Sequence, residues 1–319
     1  MKYSESYFEP EVREGFALKS MNKRFLASTM ESLEQVDRIC TKYNIKYFAY
    51  YGTLLGAVRN GGFIPWDDDM DIAMMREDYN RFIAAAKTEL DKEFSLYNVQ
   101  ENCLHPLRVI NGTSIRMDSE FLERFHLCPY PCGIDIFPID KIPTEDSDKE
   151  ILKLMYKIAA YVGQAVDSRY EKIFGKTNDV DEDTLKEFID ALEDISGVTL
   201  IRDNTLNSQI AVLMNRMAAM YNSTDSKYVT RMGIWYTDGV RETMPIECFE
   251  STIKMQFEQM EIPVPVGYDV LLRRTYGDDY MTPKRGGGAH QAKFYDTHEK
   301  ELMDIFKKCG ATPPDFLFE

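Results

Sequence analysis

Apolar residues recur every three to five positions from residue 20 to 43, at Met21, Phe25, Met30, Leu33, Val36, Cys40 and Tyr43. That period predicts an amphipathic helix laid on a sheet. The pattern then changes. Ile45 to Tyr51 is rich in β-formers and predicts a strand ending at Gly52-Thr53, followed by a short helix over LLGAVR and a turn at Asn60-Gly61-Gly62. Residues 63 to 72, FIPWDDDMDI, read as a second strand. Arg76 opens a helix running to about Leu90, and Phe94 to Val99 returns as a strand. LRVINGTSIRM, residues 107 to 117, predicts a hairpin about Asn111-Gly112, with Arg108 and Arg116 as solvated strand charges. Gly133 to Asp140 alternates as a half-buried strand.

From residue 144 the strand signal stops, and helical patterns near 146 to 174, 182 to 195 and 203 to 221 predict a helical insertion over one side of the core. Mixed structure returns afterwards. Tyr228 to Tyr236, Cys248-Phe249 and Ile253 to Val266 are strand-like, the last carrying Pro263 and Pro265 as at a sheet edge. A helix beginning near Asp269 is stopped by Gly277. The expected fold class is α+β, a mixed sheet core with flanking helices and a helical insertion. Its divisions are 1–143 for the core with its N-terminal helix, 144–224 for the insertion, and 225–319 for a segment packing back on the core.

The acidic run changes this picture from architecture to chemistry. In an extended strand Asp67, Asp69 and Asp71 share one face, and Asp68 and Met70 the other. Carboxylates so crowded must raise a pKa, find basic partners or hold a metal, and oxygen-only ligands favour Mg²⁺ or Mn²⁺. A rise of about 3.3 Å per residue puts Asp67 about 13 Å from Asp71, too far for one ion, but neighbours only about 6.6 Å apart. Asp69 and Asp71 are therefore the expected metal pair, with Asp67 supporting it or holding a second ion. Gly52-Thr53 offers backbone N–H groups and a hydroxyl suited to phosphate, although an ordinary strand-to-helix turn has the same sequence. Arg59 suits either the helix dipole or a phosphate.

YYGTLLGAVRNGGFIPWDDDMDIAM, residues 50 to 74, resembles the signature of LicD-type proteins, a branch of the nucleotidyltransferase fold that includes fukutin-related proteins. GIDIFPID, residues 133 to 140, and VPVGYDVLLRRTYGDDYMTP, residues 264 to 283, resemble two further motifs of that family. The resemblance implies a nucleotidyltransferase-like catalytic core, with Gly52 and Thr53 on nucleotide phosphates and Asp69 and Asp71 on magnesium. It also implies a third carboxylate on a later strand. Asp135 is assigned that place, pointing away from the face of Ile134 and Ile136, whereas Asp140, beyond Pro138, is expected to close the strand or cap the next element. The basic, glycine-rich stretch Lys284 to His290 is expected to neutralise phosphate charge through Arg285 and His290, the latter because family members often carry a histidine there.

The implied activity is metal-dependent transfer of a substituted phosphate, phosphocholine foremost, from a CDP-linked donor to a hydroxyl of a cell-surface glycan or glycolipid precursor. Lipopolysaccharide and teichoic acid modification are such settings, and fukutin-related proteins transfer ribitol phosphate. Two other classes share the features: a nucleotidyltransferase releasing pyrophosphate from an NTP, and a noncatalytic glycan-binding protein. A choline site needs aromatic walls near a carboxylate, for which Tyr50, Tyr51, Trp66, Trp235 and Tyr236 are candidates.

Global properties exclude some alternatives. A net charge of −15 and a pI near 4.9 disfavour nucleic-acid binding. No apolar run approaches the roughly 18 residues of a transmembrane segment, and MKYSESYFEP lacks a signal-peptide core. A cytoplasmic protein is expected, with peripheral association at the inner face of the cytoplasmic membrane. Cys103, His105, His126, Cys128 and Cys132 offer soft ligands for a structural zinc if the intervening loop folds back, at irregular spacing; buried thiols are the simpler reading.

Overall fold

The computed structural model describes residues 1–97, 106–166, 181–239, 241–285, 293–310 and 312–313, with only the backbone at 293–298 and 309. A short hairpin, β1 (Glu11–Arg13) with β2 (Phe16–Leu18), precedes α1 (Ser20–Tyr43). Met21, Phe25, Met30, Leu33, Val36 and Cys40 are all buried along one stripe of α1, as the period requires, and Asn44 ends the helix in the left-handed region. There follow β3 (Phe48–Ala49), α2 (Tyr51–Arg59), β4 (Asp71–Met75), α3 (Arg76–Glu89), β5 (Ser95–Tyr97), β6 (Leu107–Ile110), α4 (Ser119–Arg124) and β7 (Gly133–Lys141). These strands form one sheet in the order β3-β4-β7-β6-β5. The β4–β7 pair is parallel and the others antiparallel, so the fold is α+β with a mixed sheet.

Several local expectations are corrected. The strand expected over 63 to 72 begins only at Asp71, because Pro65 and the charge-rich Trp66 to Asp69 form a bend in which Asp67 N–H donates to Ile64 O. The Asn111-Gly112 hairpin is absent. Asn111 is buried, donates its backbone N–H to Cys132 O at 3.0 Å and accepts Cys132 N–H on Oδ1 at 2.7 Å, so it anchors the approach to β7 instead. Asp140 stands at the end of β7 as expected but caps no helix: it is fully buried, and Arg76 donates to both its oxygens at 2.8 and 2.5 Å.

The helical stretch contains α5 (Asp146–Val166), α6 (Glu182–Ser196) and α7 (Leu206–Ala219); residues 167 to 174 of the expected first helix lie outside the described residues. Beyond it come β8 (Tyr228–Thr230), α8 (Met232–Trp235), β9 (Met244–Pro245), β10 (Thr252–Phe257), β11 (Met260–Pro265), α9 (Tyr268–Tyr276) and α10 (Lys293–Cys309). The strand-like reading of Tyr228 to Tyr236 therefore holds only to Thr230, Cys248-Phe249 is a short 3-10 turn, and Ile253 to Val266 folds as a β10–β11 hairpin. β8 adds to the far end of β7. One buried cluster surrounds the sheet; a second joins α5, α6 and α7 to Met232 and Trp235.

Candidate active site

Parallel pairing of β4 with β7 makes Asp71 and Asp135 register partners, tied by the Asp135 N–H donated to Met70 O at 2.8 Å. Strands about 4.8 Å apart bring two such side chains together on one face. β6 continues the row: Arg108 stands opposite Asp135, with Nε 2.6 Å from Oδ1 as an ion pair whose angles do not make a hydrogen bond. Arg108 is thus part of the cluster, unlike Arg116, which pairs with Asp118 in solvent.

The start of α2 locks the acidic segment in place. Gly52 and Thr53 lie in the first turn of the helix rather than in a turn before it. Thr53 Oγ1 accepts the Asp71 N–H at 2.8 Å, and Tyr50 N–H donates to Asp71 O at 3.0 Å. The Thr53 hydroxyl keeps its own proton to donate. A Cβ on Gly52 would stand 2.3 Å from Asp67 Oδ2, so only glycine lets that carboxylate approach the helix start. Preceding it, Tyr51 holds φ 39°, a left-handed conformation rare for a bulky residue.

The bend also gathers what an alternating strand would have separated. One carboxylate oxygen from each of Asp67, Asp68 and Asp69 lies within 4.8 Å of the others, so Asp68 is on the same side as its neighbours. Asp69 in turn acts on both strand residues. Burial first, then the charges of Asp69 and Asp135, hold the Asp71 carboxyl well above the usual carboxylate range, with Arg231 opposing. Burial also raises Asp135, against Arg108, with Asp69 adding to the rise. Asp67, Asp68 and Asp69 are the carboxylates whose oxygens converge within one ion's reach, with the buried Asp71 and Asp135 beside Asp69; this all-oxygen chemistry fits Mg²⁺ or Mn²⁺.

Two further residues face this cluster: Arg231, which no motif marks, and Tyr276, which lies in the 264–283 motif but has no role assigned there. Arg231, just before α8, places its guanidinium 3.8 Å from the Phe137 ring centroid and 5.4 Å from that of Tyr51. Tyr51 O–H donates to Glu242 at 2.9 Å, and burial raises the Glu242 carboxyl against the pull of Tyr51 and Arg231. Tyr276, at the end of α9, has its hydroxyl pKa raised by burial and then by Asp67 and Asp71.

The remaining expected residues are dispersed. Arg59 sits at the opposite end of α2 and donates to Asn60 Oδ1 and Tyr280 O. Arg285 lies over the rings of Phe16 and Trp66, while His290 lies outside the described residues. Cys128 and Cys132 are buried with Sγ atoms 3.8 Å apart, but His126 Nε2 meets Glu31 at 2.9 Å; Cys103 and His105 lie outside the described residues.

Residues 44–157 match the family described as the LicD/FKTN/FKRP nucleotidyltransferase domain. Residues 44–157 are a LicD-family domain. The LicD domain takes in β3 to the first half of α5, and so Gly52, Thr53, the acidic run, Arg108 and Asp135. Arg231, Tyr276 and Arg285 stand outside it. The lipopolysaccharide cholinephosphotransferase LicD of Haemophilus influenzae is 26% identical over 256 residues, covering 79% of this chain and 88% of that protein. Uncharacterised proteins of Rickettsia typhi and Rickettsia prowazekii are 49% and 51% identical over 55 and 51 residues, 17% and 16% of this chain and 18% and 19% of theirs.

Proposed function

We propose that this chain transfers phosphocholine from a CDP-linked donor to a hydroxyl of a cell-surface glycan precursor. The observation that carries the reading is the register pairing of Asp71 with Asp135 beside Asp69 and the Gly52-Thr53 helix start. The relative named as a lipopolysaccharide cholinephosphotransferase, matched over most of both chains, supports the transferred group and the kind of acceptor.

Asp69, Asp71 and Asp135 would hold the magnesium or manganese ion, with Asp67 beside them. When bound, the ion supplies positive charge against the donor's phosphates. The first N–H groups of α2 and the Thr53 hydroxyl donate to phosphate oxygens. Asp135, its carboxyl raised by burial and oriented by Arg108, accepts the proton of the attacking acceptor hydroxyl. The new bond forms between that oxygen and the phosphorus carrying choline. The bond to the CMP oxygen breaks, and CMP leaves. Arg231 offsets the charge that builds on the transferred group. No described helix is long and apolar enough to cross a membrane, and we place the reaction at the inner face of the cytoplasmic membrane, where a lipid-linked acceptor is presented.

A donor screen with CDP-choline, CDP-ribitol, CDP-glycerol and CTP, with and without Mg²⁺, tests the reading. CMP released from CDP-choline only with Mg²⁺ supports it. Pyrophosphate from CTP would show nucleotidyl transfer, and no release from any donor a binding protein. In the same assay Arg231→Met is expected to lower kcat about a hundredfold with little change in KM, and Arg231→Lys to recover part of the loss. A change confined to KM would remove Arg231 from the transition state.

A further inference from the structure

Arg231 is shared between the acidic cluster and one further buried carboxylate, Glu242. Glu242 is 6% exposed and belongs to the turn between α8 and β9, outside the LicD domain. Its backbone is fixed on β8, where the buried Thr230 Oγ1 donates to Glu242 O at 2.7 Å. Its carboxylate crosses to the site, accepting the Tyr51 O–H at 2.9 Å. The Tyr51 ring centroid lies 5.4 Å from the Arg231 guanidinium, and that of Phe137, two residues past Asp135 on β7, lies 3.8 Å away. Those two rings meet edge to face with centroids 6.0 Å apart, so together they form the platform on which the guanidinium rests.

We propose that Glu242 is the positioning residue for Arg231: through the Tyr51 hydroxyl it fixes the ring platform, and so the point at which Arg231 meets the transferred phosphoryl group. A ring attracts a cation over its whole face, so the cation is no better placed than the ring itself. Phe137 is fixed by its strand. Tyr51 holds φ 39°, a conformation that its surroundings must enforce, and a hydroxyl bonded to a carboxylate is among the stronger ties available. Glu242 also draws on Arg231 directly, since the guanidinium opposes the burial that raises its carboxyl. A cation moved but not removed should cost turnover rather than donor binding. The effect on turnover rests on the role of Arg231 in phosphoryl transfer, whereas the hold of Glu242 on Arg231 does not need turnover.

The test uses the full chain labelled at arginine. One readout is the NMR signal of the Arg231 Nε–Hε group, identified by its loss in Arg231→Met; the other is CDP-choline turnover. Ring faces should set the wild-type signal apart from those of exposed arginines. Glu242→Met should move it toward them and lower kcat about ten- to hundredfold with little change in KM. Glu242→Gln should recover most of both, because its amide oxygen still accepts the Tyr51 O–H. In an Arg231→Met background Glu242→Met should cost no further kcat, as expected of residues acting as one unit. An unmoved Arg231 signal in Glu242→Met overturns the assignment, as do an effect on KM alone, equal losses in the Met and Gln variants, or losses that multiply in the double variant. Tyr51→Phe removes the same bond from its other end and is read in the same two ways should Glu242→Met not fold. A signal that moves with Glu242 without turnover of any CDP-linked donor supports the hold on Arg231 and removes the donor assignment instead.

Discussion

Asp71→Asn is expected to abolish turnover, by on the order of a thousandfold, while raising the melting temperature of the metal-free protein. Both effects come from one environment. Asp71 stands at the start of β4 with Asp135 in register beside it and Asp69 two residues before it, and burial there disfavours its charge. Its folded-state pKa exceeds the unfolded one. The native state therefore binds the proton more tightly, and the stability this confers is present below the ordinary carboxylate pKa and lost as pH rises through the raised value. At neutral pH, above the ordinary carboxylate range, holding this carboxyl buried beside Asp69 and Asp135 costs the metal-free fold stability. Asparagine has no carboxyl to titrate and keeps nearly the same size, and the Asp71 backbone N–H to Thr53 is untouched. Each kcal/mol of relieved repulsion is worth about 2 to 4 °C in a domain of this size class. Thermal melts across pH without metal should show wild-type stability falling above the carboxylate range and a flatter profile in the variant. Added Mg²⁺ should raise the wild-type Tm more than the variant's. Full turnover in Asp71→Asn would dissolve the proposed site.

The sequence disclosed most where a local physical rule decides the structure. The stripe of α1, the helix from Arg76, the stop at Gly277 and the extent of β7 are set by short-range periodicity and caps, and they form with nearly the expected bounds, although β7 is buried on both faces rather than half-buried. The acidic segment shows where such rules end. Alternating carboxylates imitate a strand pattern, but Trp66 to Asp69 are only partly buried between the buried Ile64 and Met70; there the chain bends and brings Asp68 to the same side as Asp67 and Asp69, and the strand starts at Asp71. Asn111-Gly112 has hairpin chemistry, yet tertiary bonds to Cys132 outweigh it. Asp69, Asp71 and Asp135 were legible because two motifs and one strand pairing place them. Arg231 was not, since nothing in its neighbours records that it returns to the carboxylates from a distant segment, and Tyr276 lies within the 264–283 motif without a role assigned to it. Arg108 was visible but unassigned: a strand arginine is ordinary until the β6–β7 register sets it opposite Asp135.

The second large effect lies at the other end of β7. Arg76→Met is expected to destabilise the protein by about 3 to 5 kcal/mol, because it leaves a buried carboxylate without its counter-charge. The Asp140 side chain has no solvent exposure and that of Arg76 only 12%. Asn222 Nδ2 donates to Asp140 Oδ1 at 2.7 Å, and Arg76 Nη1 donates to Asn215 Oδ1 at 3.2 Å. One guanidinium thus ties the start of α3 to β7 and to α7 of the helical cluster. Removing both charges should behave differently: in Arg76→Met/Asp140→Leu the desolvation cost disappears with the attraction, so much of the loss should return. Urea unfolding of the wild type, the single variant and the double variant separates these cases, with unchanged m-values indicating that the transition itself is the same. A single-variant loss below about 1 kcal/mol would mean that the pair behaves as a solvated surface bridge. The expected result is a large loss and a partial rescue, because the strand that presents Asp135 is anchored five residues on by a charge pair held out of water.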